Sequence, residues 1–364
     1  MYDLILIGAG PGGSSAAISA ARAGARVLLL ERGRFPRNKV CGEFVSAESL
    51  DLLSSLLGSS GRSLLDQAPR ISGTRIFVDG LMLTSAVDPS AASIARLDLD
   101  AALWAAAQEN RVETREQTAV QTIHGEGPFI VAANGNRFEG RAVINTSGRW
   151  SNLTATATEN YKPRDKWLGV KGHFAEPDPA PSVDLYFFEG GYCGVQPVTL
   201  EGDRAQSRVN VCAMVRSDVA SSLPEVFALN PSLRERSRNW QPLTEPVSTS
   251  PLLFRQPQPV EGNVLRAGDA AGFVDPFVGD GISLALRTGA LAARSLVPFF
   301  QGEVSLAASI ESYRRTYERD FLPVFRVSSQ IRHIFLLPRV LRLMLLTGLK
   351  HSPSLTRYFI RRTR

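Results

Sequence analysis

Cysteine and histidine are scarce in this 364-residue sequence: there are three cysteines (Cys41, Cys193 and Cys212) and four histidines. The cysteines are odd in number and far apart. That argues against a disulfide framework and a C-x-x-C metal site, and fits a reducing cytoplasm. The isolated histidines suggest no metal centre, so no metal partner is expected. No uncharged apolar run reaches about eighteen residues, so no membrane-spanning helix is expected. The first apolar run begins at residue 2. This leaves no room for a signal peptide, and a cytoplasmic chain is expected. Internal repeats and low-complexity segments are also missing.

The 44% of hydrophobic residues suits a globular protein with a sizeable core. The length allows one large or two ordinary domains. The net charge of +6 is unevenly placed. Residues 312–364 hold twelve Lys and Arg against two Asp and Glu, while the rest holds 29 basic and 33 acidic residues. The basic excess is therefore a property of the tail's surface and not of the fold.

The most informative stretch is Met1 to Glu31. Tyr2-Asp3-Leu4-Ile5-Leu6-Ile7 reads as a buried parallel strand. Gly8-Ala9-Gly10-Pro11-Gly12-Gly13 is a G-x-G-x-x-G turn, and Ser14 to Ala23 reads as a small-residue helix. Ala25 to Leu30 is a second buried strand, closed by Glu31. Strand, glycines, helix, strand and acid occur in the order that a dinucleotide-binding unit requires. Gly8 permits the tight turn, Gly10 lets a pyrophosphate approach, and Gly13 lets the helix sit close to the strand. The helix N-terminus offers free N–H groups to phosphates. Glu31 is placed to accept hydrogen bonds from a ribose diol.

The loop Arg32 to Phe44 is glycine-, proline- and base-rich and runs back past this site. Ala47 to Leu57 reads as an amphipathic helix. Ile71 to Val87 is a hairpin about Asp79-Gly80, expected to be an antiparallel pair and not part of a parallel sheet. A helix is expected over Leu99 to Asn110, then strands over Thr114 to Ile123, Phe129 to Ala133 and Arg137 to Ile144. Val143 to Ser151 is a strand running into a turn. Trp167 to Ala175, Val183 to Phe188, Gly191 to Val198 and Ser207 to Val215 read as one antiparallel sheet, followed by short helices over Leu223 to Leu229 and Pro231 to Asn239. Val264-Leu265-Arg266-Ala267-Gly268-Asp269-Ala270-Ala271-Gly272 reads as another strand, ending in small residues. After Asp275-Pro276 and Gly279-Asp280-Gly281 comes a helix over Ile282 to Pro298. Asp275 and Asp280 read as turn residues.

With these motifs in order, the chain resembles the FAD-dependent hydroxylase superfamily, which includes aromatic hydroxylases, flavin-dependent halogenases and geranylgeranyl reductases. Pro36-Arg37-Asn38-Lys39-Val40-Cys41-Gly42 is similar to the P-x-x-K-x-C-G stretch of geranylgeranyl reductases. Gly268 to Pro276, followed by Gly279 to Ile282, resembles their second flavin motif. The resemblance covers about residues 1 to 300. It implies an α/β fold: a Rossmann-like FAD-binding domain of the glutathione reductase type with an inserted antiparallel β-sheet substrate domain and a C-terminal helical segment. The expected FAD-binding domain is 1–68, 90–165 and 255–305. The substrate domain is 69–89 and 166–254, and the basic helical segment is 306–364.

Carried over by position, the resemblance assigns the cofactor residues. Gly8, Gly10, Pro11, Gly12 and Gly13, with Glu31 and Arg32, hold the ADP half of FAD. Cys41, Gly42 and Phe44 touch the flavin side, Arg96 contacts the cofactor, and Val120 frames the adenine. Gly268 and Asp269 meet the ribityl chain, while Gly281 and Ile282 present helix N–H groups to the flavin. The catalytic candidates are Cys41, whose thiol could tune reduction or meet substrate, and Tyr192, which could line the cavity or donate a proton. His173 reads more readily as a structural imidazole than as a general acid.

Two departures stand out. The middle motif is Asn145-Thr146-Ser147-Gly148-Arg149, without the acid usual in hydroxylases, and no W-x-W of the tryptophan halogenases occurs. The expected reaction is hydride transfer from reduced flavin to a C=C bond of a hydrophobic, prenyl-type substrate, with NAD(P)H as electron donor. The alternative is an FAD-dependent monooxygenase or halogenase acting on an aromatic or polyketide-type substrate. A non-catalytic flavin-binding protein is a third reading. The basic amphipathic stretch from Phe335 to Lys350 suits an anionic membrane surface or packing on the body. No nucleic-acid partner is expected, because no recognised module accompanies the charge.

Overall fold

The computed structural model describes all residues except 60, 150–152, 154–165, 203–205, 336, 338 and 351–364. Trp150 and Ser151 of the expected turn, Leu336 of the tail, and everything past Lys350 lie outside the described residues.

In chain order the first strands are β1 (Tyr2–Ile7), β2 (Val27–Leu30), β3 (Phe44–Val45), β4 (Arg70–Val78), β5 (Leu81–Ser93), β6 (Glu113–Arg115), β7 (Val120–His124), β8 (Phe129–Ala133) and β9 (Asn136–Asn145). There follow β10 (Trp167–Ala175), β11 (Ser182–Phe188), β12 (Gly191–Pro197), β13 (Arg208–Arg216), β14 (Gln241–Pro242), β15 (Val247–Thr249), β16 (Val260–Glu261) and β17 (Val264–Arg266). The helices are α1 (Pro11–Arg22), α2 (Leu50–Leu57), α3 (Arg62–Asp66), α4 (Arg96–Glu109), α5 (Leu223–Ala228), α6 (Pro231–Arg236), α7 (Gly281–Phe300), α8 (Leu306–Asp320), α9 (Leu322–Phe335) and α10 (Arg339–Lys350).

The strands form two sheets, as expected of an α/β fold. The first has the order β16-β17-β9-β1-β2-β6, with the β7–β8 hairpin joined to β9. Around β1 the pairings with β2 and β9 are parallel. Leu4, Ile5 and Leu6 are fully buried, because both faces of the sheet are covered: Leu4 and Leu6 enter one apolar cluster, and Ile5 and Ile7 another. A continuous apolar run is the sequence form of such a strand. Helices α1 and α7 pack closely on one face: a Cβ on Gly289 would lie 2.1 Å from the Gly12 carbonyl oxygen.

The second sheet has the order β14-β10-β13-β12-β11-β4-β5-β3, with β15 beside β10. Its strands alternate in register. Val170 and Phe174 of β10, with Val209, Val211 and Ala213 of β13, pack on one side with Leu223, Val226 and Leu233. Residues one place along point the other way. Across the pairings on this inner side lie Lys171 and Cys212, His173 and Asn210, Gln196 and Asn210, and Tyr192 and Met214. The inner side thus passes from an apolar end at Tyr192 and Met214 to a polar end at His173, Asn210 and Gln196.

Three expectations need correction. The hairpin about Asp79-Gly80 is antiparallel within itself, but β4 also runs parallel to β11, from Gly73 beside Ser182 to Phe77 beside Tyr186. Hairpin chemistry specifies only the partner across the turn, while the other edge is free to take a strand of either direction. The single strand expected over Thr114 to Ile123 is two. β6 joins β2 and β7 joins β8. Between them the Gln117 and Thr118 N–H groups bond to the Gly33 and Glu31 carbonyls. Helix α4 begins at Arg96, three residues before the expected start.

Candidate functional site

The site is built where β1 enters α1. Gly8 has φ +98°, and a Cβ there would lie 2.6 Å from the Thr146 carbonyl oxygen. A Cβ on Gly13 would lie 1.9 Å from the Gly8 carbonyl oxygen, so only glycine lets the helix start this close to the strand. Gly10 caps the helix without a side-chain hydrogen bond, and Pro11 opens it. The first N–H groups therefore face an anion-ready end. An added Cβ at Gly10 would meet only Arg96 Nη2, at 3.9 Å.

Arg96 is held for that position. Its guanidinium donates to both oxygens of the fully buried Asp100, at 2.7 Å each. Burial would weaken its hold on the proton, but the paired Asp100 outweighs this and the net shift is upward. Around it stands further positive charge. Lys39 is pushed down to about 8, first by burial and then by the nearby Arg37. An arriving anion would relieve that repulsion.

Glu31 ends β2 and is buried. It accepts from the Ala9 N–H (2.9 Å), the Gly33 N–H (2.8 Å) and Arg37 Nη1 and Nη2 (2.9 and 3.0 Å). Arg32 is exposed next to it, and Val120 stands at the start of β7. The Thr118 N–H bond to the Glu31 carbonyl brings that segment to the end of β2.

The loop before β3 lies between the two sheets. The Cys41 thiol accepts from the Glu43 N–H at 3.3 Å. Asn210 Nδ2 donates to the Cys41 and Gly42 carbonyls, at 3.1 and 2.9 Å. Glu43 has φ +62°, an uncommon conformation for a residue with a side chain. Its fully buried carboxylate accepts from Lys171 Nζ, from the Arg96 N–H at 2.7 Å, and pairs with His173 Nε2 at 2.9 Å. Burial alone would raise its pKa, but the Lys171 ammonium and the His173 bond outweigh that and hold it below the usual range. His173 is buried, with Nε2 on the Glu43 carboxylate. Nothing in the sequence reading gave Glu43, Lys171 or Asn210 a role. Period-two spacing of Lys171 and His173 on a strand of otherwise apolar character was the available signal.

At the other motif, Gly268 donates its N–H to Thr288 Oγ1 at 3.0 Å, and Asp269 lies 3.5 Å from Arg149 Nε. Gly281 starts α7 with nothing within 4 Å of an added Cβ, and no side chain caps that helix. Ile282 is buried beneath it. Phe44 packs on the turn, where a Gly279 Cβ would touch its ring at 3.0 Å. Asp280 is no mere turn residue. It is buried, accepts from Ser46 Oγ at 2.8 Å, and is pushed up to about 6, chiefly by burial. Asp275 departs further from the turn reading. It is 3% exposed, and among the described residues neither carboxylate oxygen has a hydrogen-bond partner, although Arg332 Nε lies 3.5 Å from Oδ2.

Tyr192 is buried against Phe187 and Phe277, with ring centroids 5.5 and 6.0 Å away. Burial, and next the charge of Asp275, raise its phenol well above 10. With Val78, Met214 and Leu252 it forms an apolar cluster reaching Phe254, Phe273 and Phe277. Cys193 is buried and Cys212 half-buried, and the Cys212 thiol is pushed up to about 12, chiefly by burial.

A family model described as FAD dependent oxidoreductase matches residues 3–38. The chain is of the FAD-dependent oxidoreductase type. A menaquinone reductase of Mycolicibacterium smegmatis is 24% identical, over 93% of this chain and 86% of that protein. Digeranylgeranylglycerophospholipid reductase 2 of Methanopyrus kandleri is 25% identical, over 92% and 86%. In fold, the oxidoreductase superimposes on the flavin-dependent brominase Bmp2 with a TM-score of 0.81 at 19% identity, covering 100% of this chain and 93% of that one.

Among the described residues, no helix of the oxidoreductase is long and apolar enough to cross a membrane, and no group of three His, Cys, Asp or Glu is placed to hold a metal. The expected basic tail helix is α10. Its Arg342 donates to both oxygens of Asp79, at 2.6 and 2.8 Å, which ties the helix to the β4–β5 turn. Val340, Leu341 and Met344 remain 64%, 50% and 66% exposed.

Proposed function

We propose that this oxidoreductase reduces a C=C bond of a hydrophobic, prenyl-type substrate, using FAD that NAD(P)H re-reduces. The observation that carries the reading is the apolar cluster of Phe187, Tyr192, Met214, Leu252, Phe273 and Phe277, set beside the open start of α7. Two of the relatives are named as reductases, one of them of a digeranylgeranyl lipid.

The residues present fit FAD. Gly10, Gly42 and Gly281 leave room on the sides where a ligand would approach. The starts of α1 and α7 lack side-chain caps. The α1 end, with Arg96 and Lys39, would take the pyrophosphate. Cys41, Gly42 and Phe44 would line the flavin, and Asp269 the ribityl chain. When bound, FAD supplies the hydride. The positive end of the α7 dipole would stabilise negative charge at the flavin edge. The aromatic cluster would exclude water and orient an apolar chain, while Tyr192 would keep its proton at every physiological pH. A ribose diol at Glu31 must displace Arg37, because four donors fill the carboxylate's four acceptor positions.

A lipid substrate would give the exposed apolar residues of α10 a surface to rest on. Binding to anionic vesicles should then fall when Val340, Leu341 and Met344 are changed to serine.

The test of function is anaerobic. Chemically reduced protein is mixed with menaquinone-4 or a geranylgeranyl phospholipid in detergent micelles, and flavin absorbance is followed. Reoxidation with formation of the saturated product supports the reading. Oxygen-dependent NAD(P)H consumption stimulated only by an aromatic substrate would replace it with the monooxygenase or halogenase reading.

A further inference from the structure

Reducing a C=C bond requires a hydride on one carbon and a proton on the other. Neither catalytic candidate read from the sequence suits the second task. Tyr192 is too weak an acid, since burial and Asp275 raise its phenol well above 10. The Cys41 thiol is already engaged by the Glu43 N–H.

Asp275 has the properties that these lack. It closes the flavin-type motif one residue before Pro276, on the turn that carries Phe277 into the aromatic cluster. Its side chain is buried, yet neither oxygen has a hydrogen-bond partner among the described residues. A buried carboxylate with no donor is costly as an anion and is stabilised by holding a proton. Its backbone N–H is fixed by Ser328 Oγ of α9 at 3.3 Å, so the residue itself is firmly placed. The charged and titratable groups facing it are Arg332 of α9, whose Nε is 3.5 Å from Oδ2, and Tyr192 of β12, whose phenol feels its charge. Arg332 is in turn seated on the Phe254 ring, 4.1 Å from its centroid, and Phe254 stacks on Phe273.

We infer that Asp275 is the general acid of the reductase reaction, delivering its carboxyl proton to the substrate carbon that does not receive the hydride. The inference rests on the proposed function. The substrate's π electron pair and the incoming hydride pair make two new C–H bonds. The hydride and its two electrons would come from bound reduced FAD, and Asp275 is left as a carboxylate facing Arg332. Solvent then returns the proton. Burial raises the Asp275 carboxyl to about 7, partly offset by Arg332, which suits an acid that must both hold and release a proton near neutrality.

The experiment has two arms. In the FAD-free protein, carbon-13 NMR of labelled aspartate is expected to show one carboxyl titrating near 7 that disappears in Asp275→Asn. In the holoenzyme, single-turnover reoxidation by the active micellar substrate is expected to slow as pH rises through about 7. Asp275→Asn should lose that limb and about a hundredfold in rate. Arg332→Met, which keeps the acid and removes its cation, should move the limb upward by about one pH unit. It provides the test should the asparagine variant not fold. If the wild type reacts and neither variant changes rate or pH profile, or if no aspartate titrates near 7, the inference is overturned while the proposed function stands. If the wild type is inert toward every prenyl substrate offered, the proposed function fails and takes this inference with it.

Discussion

Arg37 straddles Glu31, donating from both terminal nitrogens to both carboxylate oxygens at 2.9 and 3.0 Å. The acid at the end of β2 is the one a ribose would need, and its acceptor positions are taken. Arg37→Ala should therefore tighten FAD binding several-fold, while Glu31→Gln should weaken it about tenfold by loss of charge-assisted acceptors. Quenching of flavin fluorescence during titration reads both. Weaker binding in Arg37→Ala would mean that Arg37 holds the cofactor and does not compete with it.

Lys39 bears on the pyrophosphate. Its ammonium is held down to about 8 by burial and by Arg37. The charge is present below that pH and lost above it. FAD affinity should therefore decline between pH 7 and 9, and Lys39→Met should bind more weakly at pH 7 and lose that decline. The same fluorescence titration at several pH values checks it.

Glu43 and Lys171 are a buried ion pair between the loop and the second sheet. Removing one partner leaves the other charged and dry, at a cost of about 3–5 kcal/mol. Glu43→Gln should thus unfold at clearly lower denaturant than the wild type. Glu43→Gln combined with Lys171→Met should recover most of the loss, because no unpaired charge remains. A double variant no better than the single would show that Glu43 acts mainly through Arg96 and His173.

Asp275 and Asp280 make stability depend on pH in a defined direction. Their folded-state carboxyls are raised to about 7 and about 6, so the folded state keeps protons that the unfolded chain has released. That stability is complete below about pH 4 and is lost as pH rises toward 7. Asp275→Asn should match the wild type in melting temperature near pH 4 and exceed it at pH 8. Scanning calorimetry at the two pH values decides the matter. A variant less stable at pH 8 would mean that Arg332 holds the carboxylate as an ion more strongly than burial opposes it.

What could be read without coordinates was local. The run from Tyr2 to Glu31 specifies strand, turn, helix and strand through contiguous residues, and each glycine's steric task follows from its neighbours in the chain. The same holds for Gly279 to Ile282 opening α7, and for the four apolar runs that read as β10 to β13. The tertiary structure decided everything that depends on a partner far along the chain. Glu43 is given its role by Lys171 and His173, 128 and 130 residues away. Asp275 is given its role by the burial that α9 and the aromatic cluster impose. The parallel pairing of β4 with β11 was equally invisible, because a hairpin's sequence specifies its turn and not the strand that fills its other edge. Burial, and the ionisation state that follows from it, arise only when distant segments exclude water together, and no local pattern encodes that.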